Sequence, residues 1–115
     1  MTARKKTGET EIIPADKFNL LNSINYQKKA VVSREIAGKI AGTVTIFAFD
    51  EGQGLSEHTA PFDALVYILE GKAEVIISGK PNSVAAGEMI VMPAGKPHAL
   101  KALDKFKMLL IMIRS

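Results

Sequence analysis

The chain has 115 residues, 47% of them hydrophobic and 23% charged, which excludes a disordered chain and allows one compact domain with a real core. Its 15 Lys and Arg exceed its 12 Asp and Glu by three; Arg4, Lys5 and Lys6 supply that excess alone, so the body is neutral. The sequence has no contiguous basic stripe interleaved with aromatics, no apolar run of membrane-spanning length and no cysteine for a disulfide or thiolate site. It also begins without a secretory-type apolar stretch, so the expectation is a soluble cytoplasmic protein with neither nucleic acid nor membrane as partner.

Residues 1–10 are polar and aperiodic and read as a flexible arm, leaving 11–115 as a single domain. After Pro14, apolar residues at Phe18, Leu21 and Ile24 have the spacing of one or two helical turns, the only helix the pattern predicts. From Ala30 onward the pattern becomes short β-type runs: Ala30 to Ile36, Thr43 to Phe49, Leu65 to Leu69, Ala73 to Ser78, Met89 to Met92, His98 to Ala102 and Phe106 to Ile113. Turn signals separate them, among them Glu51-Gly52, Glu70-Gly71, Gly79-Lys80-Pro81-Asn82, Ala86-Gly87 and Pro93-Ala94-Gly95. Many short strands of this kind predict an all-β sandwich or barrel. The last run does not alternate, so both its faces need cover, one from the core and the other from a second sheet or another subunit. A homodimer is expected on that ground, with Val31 and Val32 adding a strand across the interface.

Two stretches carry spaced residues that can do chemistry. Gly87, Pro93, Gly95 and His98 follow the spacing G-x5-P-x-G-x2-H, and Gly52, His58 and Gly71 frame a second stretch in which Ala60 and Ala64 lie at fixed distances from His58. The pair resembles the two signature motifs of the cupin superfamily. That resemblance implies a double-stranded β-helix, or jelly-roll, barrel with at most one short N-terminal helix. In the family's first motif, G-x5-H-x-H-x3,4-E-x6-G, a second histidine would stand where this chain has Ala60, and a glutamate where it has Ala64. Two of the four implied metal ligands, His58 and His98, therefore remain.

Catalytic transition-metal sites ordinarily draw on three or more protein donors, so His58 and His98 alone would hold zinc, nickel, iron or copper weakly. No cofactor is required by the sequence, and no catalytic residue is assigned. The alanines would leave methyl groups where an imidazole and a carboxylate would stand, and Val66 and Ile68 continue the face of Ala64. The resulting expectation is a pocket of His58, His98, Ala60, Ala64, Val66 and Ile68 that takes a small organic ligand, with the histidines as polar anchors. The alternatives are a metal-dependent dioxygenase or isomerase with a non-standard third ligand, metal-free acid/base chemistry, and a regulatory subunit with a vestigial pocket. A plain hydrogen-bonded barrel histidine is the bland reading of either imidazole. Asp63, after Pro61-Phe62, reads as a turn former and Glu57 as a rim carboxylate.

Overall fold

The computed structural model describes residue 12 and residues 14–114, so the arm expected at 1–10 lies outside the described residues. Nine strands follow in chain order: β1 Val31–Lys39, β2 Gly42–Phe49, β3 Gly54–His58, β4 Asp63–Glu70, β5 Lys72–Ile77, β6 Lys80–Ala85, β7 Met89–Met92, β8 His98–Lys101 and β9 Phe106–Ile113. They form a five-stranded sheet, β1-β2-β9-β4-β7, and a four-stranded sheet, β3-β8-β5-β6, with every pairing antiparallel. Between them lies one core that takes alternate residues of each strand: Ala64, Val66 and Ile68 of β4, Met108 and Leu110 of β9, Val75 of β5 and Leu100 of β8. Phe49 and Phe106 stack within it, their centroids 4.5 Å apart. This is the jelly-roll arrangement the motifs imply.

The predicted runs became strands, two of them (Met89–Met92 and Phe106–Ile113) with unchanged limits. Two strands were missing from the sequence reading, β3 and β6. The stretch read as the turn Gly79-Lys80-Pro81-Asn82 is a two-residue reversal at Ser78 and Gly79, both at positive φ (51° and 80°), followed directly by β6. Such a turn matches the natural twist of a hairpin. Pro81 is tolerated because β6 is an edge strand, where a missing N–H costs no ladder bond. Gly71 is a different case. A Cβ there would collide with the Lys105 carbonyl oxygen, so only glycine lets the β4–β5 turn close over β9.

Part of the outer face of β9 is covered by the chain itself. The segment around Leu20–Tyr26 folds back across the outside of the five-stranded sheet, and Ile24 is completely buried against Ile46 and Ala48, with Leu69 and Leu109 beside them. The helix expected there is reduced to one 3-10 turn, Leu21–Ser23, after which Ile24 is already extended (φ −147°, ψ 146°). Polar groups pin the strap at three places. Lys107 Nζ donates to the Leu21 carbonyl (2.8 Å), Arg34 to the Ser23 carbonyl (2.8 Å), and the Tyr26 hydroxyl to a Glu70 carboxylate oxygen (2.6 Å). Lys105 and Lys107 also lie over the Tyr26 ring, at 4.9 and 5.1 Å. Val32 is spent on this cluster and Val31 on the main core.

Deleting the buried part of the Ile24 side chain leaves a cavity under the strap, so Ile24→Ala is expected to lower unfolding free energy by about 2–5 kcal/mol. Urea denaturation measures it; a loss below about 1 kcal/mol would mean that the strap does not hold the sheet as described.

Candidate functional site

The site is built where β3 meets β8. Leu55 pairs with Leu100, yet His58 pairs with His98, so three steps along β3 match two along β8. The extra residue is a β-bulge, and it has a consequence for side-chain direction. Leu55 packs on the core; strict alternation would put Glu57 on that same face and His58 on the opposite one. The bulge brings His58 into register with His98 and leaves Glu57 exposed.

The two imidazoles consequently touch. Their Nε2 atoms are 3.2 Å apart, with the rings at 71° and their centroids 4.4 Å apart. His98 is buried and His58 exposed, so the pair runs from the interior to the surface. Each ring is held from behind by a backbone carbonyl: His58 Nδ1 is 2.9 Å from the Ser56 oxygen and His98 Nδ1 is 3.2 Å from the Lys96 oxygen. A carbonyl oxygen only accepts, so each contact places the proton on Nδ1 and leaves Nε2 with a bare lone pair when the ring is neutral. With both rings in that tautomer, two lone pairs face one another across 3.2 Å. The arrangement is electron-rich and calls for a donor or a cation.

Burial pushes the His98 pKa below its ordinary value of 6.5, and the neighbouring His58 pushes in the same direction, against the opposing effect of the Lys96 carbonyl. His98 is therefore held neutral at neutral pH.

The other predicted pocket residues divide. Ala60 is half-buried in the connection between β3 and β4, outside any strand, so strand parity does not set its direction. Ala64 is buried, while Val66 and Ile68 have no accessible surface and are packed in the core with Met92 and Met108. A ligand at the imidazoles reaches Val66 and Ile68 only if the core opens. Asp63 forms a turn contact, as read, but a long-range one: its Oδ1 accepts from Ala94 N–H at 2.8 Å, and the Ala60 carbonyl accepts from Gly95 N–H at 2.8 Å. These two bonds tie the loop after His58 to the Pro93-Ala94-Gly95 turn before His98. No spacing in the sequence signalled that tie.

The donors fall short of a complete metal cage. The 3.2 Å between the Nε2 atoms suits two nitrogens on one ion at the usual metal–nitrogen distance of about 2.0–2.1 Å. However, no group of three His, Cys, Asp or Glu able to hold an ion occurs among the described residues. Asp63 is committed to Ala94, and Glu57 is exposed.

The family model for the cupin domain matches residues 45–114, which include both histidines and the bulge. The chain is a cupin. Among solved structures, it superimposes on a conserved protein of unknown function from Streptococcus pyogenes with a TM-score of 0.85 and 35% identity, covering 96% of this chain and 98% of that one. A cupin 2 conserved barrel domain protein from Leptotrichia buccalis is 42% identical over 84% of this chain, with a TM-score of 0.82, and this cupin spans 47% of that longer chain. A cupin superfamily protein from Desulfitobacterium hafniense aligns at 25% identity and a TM-score of 0.84, covering 91% of this chain and 97% of that one. No curated protein matches.

The depressed His98 pKa has a testable sign. Between the folded value and 6.5 the unfolded chain holds the proton and the folded chain does not, so this contribution to stability is intact above pH 6.5 and lost as pH falls through the folded value. Urea unfolding at pH 7.5 and 5.5 is expected to show the parent losing more stability than His98→Gln on acidification. Equal losses would mean that His98 is not held neutral by the fold.

Proposed function

We propose that this cupin binds a small organic molecule through a hydroxyl or amine group, which donates to the paired Nε2 atoms of His58 and His98, with little or no tightly held metal. The observation that carries the reading is the backbone hydrogen bond behind each ring, which turns both imidazoles into acceptors aimed at one point. An anionic carboxylate or phosphate would bring more lone pairs to a place that already has two; a hydroxyl donates to one of them and an amine, with more than one N–H, to both. Ala60, half-buried beside the first motif, supplies apolar contact, while Ala64, Val66 and Ile68 stay packed in the core behind it. The protein works in the cytoplasm as a homodimer; none of its helices among the described residues is long and apolar enough to cross a membrane.

A second reading has one observation in its favour, the 3.2 Å spacing that suits a shared ion. In that case the chain is a metal-dependent cupin enzyme of dioxygenase or isomerase type, and the third donor comes from the substrate or from a non-standard side chain.

One titration series separates the two. Phenols, alcohols and amines are expected to raise the melting temperature where carboxylates of matched shape do not, and His58→Phe is expected to weaken the best binder roughly 10- to 100-fold, the worth of one lost buried hydrogen bond. Carboxylates binding as tightly as alcohols would overturn the donor reading, and about one zinc, nickel or iron per chain surviving dialysis against chelator would establish the second.

A further inference from the structure

The histidine pair has a competing arrangement in which it needs no ligand. If the His98 proton moves from Nδ1 to Nε2, that ring donates to His58 Nε2 across the same 3.2 Å, and the two lone pairs no longer oppose each other. The Lys96 carbonyl resists the move, because it would lose its donor. Its contact with His98 Nδ1 is 3.2 Å, longer than the 2.9 Å contact behind His58 and at the far end of the usual range, so a small shift of that carbonyl is enough to break it. Where the Lys96 carbonyl stands therefore decides whether the pair offers two acceptors or closes on itself.

Lys96 lies in the connection between β7 and β8, which is held from outside. On one side the Pro97 carbonyl accepts from Ser78 N–H at 2.8 Å. On the other, Ala94 N–H and Gly95 N–H donate to Asp63 Oδ1 and to the Ala60 carbonyl, both at 2.8 Å. Within the connection, Lys96 N–H reaches the Pro93 carbonyl only at 3.3 Å. Two of the three outside ties run from backbone to backbone. Asp63 supplies the one that depends on a side chain.

We infer that Asp63 is a positioning residue for the site: resting on the acceptor reading above, it fixes through Ala94 the turn that carries the Lys96 carbonyl, and so keeps His98 protonated at Nδ1 with Nε2 free for a ligand.

The place of Asp63 suits the role. It is the first residue of β4 and pairs with Ile113 of β9 in the five-stranded sheet, whereas the turn leads from that sheet into β8 of the other. The bond thus anchors the approach to His98 on the sheet that His98 does not belong to. An ionised carboxylate only accepts, and its bond to a backbone N–H is charge-assisted, so it holds the amide more firmly than a neutral acceptor would. The bond is also exposed, so its loss costs the fold little while freeing the turn to move.

Nitrogen-15 NMR of the imidazoles, combined with hydrogen exchange at the Ala94 amide, provides the test in metal-free protein at pH 7.5. In Asp63→Ala the Ala94 amide is expected to exchange roughly tenfold faster or more, and the His98 Nε2 signal to move toward that of a protonated nitrogen. Asp63→Asn keeps an oxygen acceptor and is expected to restore both signals. Asp50→Ala removes another exposed carboxylate tie, from Asp50 Oδ2 to Lys29 N–H at 2.7 Å, beyond the far end of the β3–β8 ladder, and is expected to leave His98 as in the parent. If the alanine protein does not fold, Asp63→Val, which suits a strand and offers no acceptor, gives the same readings. An Asp63 variant with a released Ala94 amide and an unchanged His98 would overturn the assignment. So would an Ala94 amide that stays protected, or an Asp50→Ala protein that moves His98 equally. A parent already protonated at His98 Nε2 would remove the acceptor reading itself, and the role of Asp63 with it.

Discussion

The site depends on one irregularity, the extra residue that β3 carries between Leu55 and His58. Without it the β3–β8 ladder would run in step, Glu57 would stand opposite His98, and His58 would lie on the other side of the sheet. A bulge costs ladder hydrogen bonds and is retained where it redirects a side chain, and here it turns an imidazole toward a second one. The carbonyl left nearest the bulge, that of Ser56, accepts from His58 Nδ1. Local backbone geometry thus sets both the direction of the ring and its tautomer. On the other strand the Lys96 carbonyl acts in the same way for His98, from the turn that the proline and glycine of the second motif create.

The rest of the barrel holds that junction still. Strand β9 runs through the middle of the five-stranded sheet, between β2 and β4, with the core on one side and the strap on the other. It contributes Met108 and Leu110 inward, while outward Leu109 and the stem of Lys107 support Ile24 and Tyr26. The Lys107 ammonium is buried because the Leu21 carbonyl and the Tyr26 ring take the place of water around it. Burial of the ring, and after it the Glu70 carboxylate that accepts from the hydroxyl, push the Tyr26 phenol pKa far above its usual value, so Tyr26 remains a hydrogen-bond donor throughout the physiological range.

Much of this was legible in the sequence, and what was not has identifiable physical causes. Unbroken apolar runs gave away β7, between Gly87 and Pro93, and β9 to the residue, although their outward-facing Met89, Val91 and Ile113 stay about half exposed. The intervals of the two motifs brought His58 and His98 together across forty positions. Strand β3 was invisible because Gly54–His58 is mostly exposed and its bulge breaks the alternation a reader looks for. Strand β6 was hidden by Pro81, which reads as a turn unless the strand is known to be an edge. The strap was mistaken for a helix since Phe18, Leu21 and Ile24 keep helical spacing, but Phe18 and Leu21 stay exposed and Ile24 alone is fully buried. The ties from Asp63 and Ala60 to the Pro93–Gly95 turn are long-range backbone bonds, for which composition and spacing carry no trace.

The central claim is that His58 and His98 present two unprotonated Nε2 atoms to the same point. Nitrogen-15 NMR of the imidazole rings at pH 7.5, in metal-free protein, measures this directly by correlating each ring nitrogen with its own ring hydrogens. Both rings are predicted to carry a proton on Nδ1, with Nε2 bare. Protonation at Nε2 of either ring would contradict the account, since one histidine would then donate to the other and the pair would have a single acceptor left to offer a ligand.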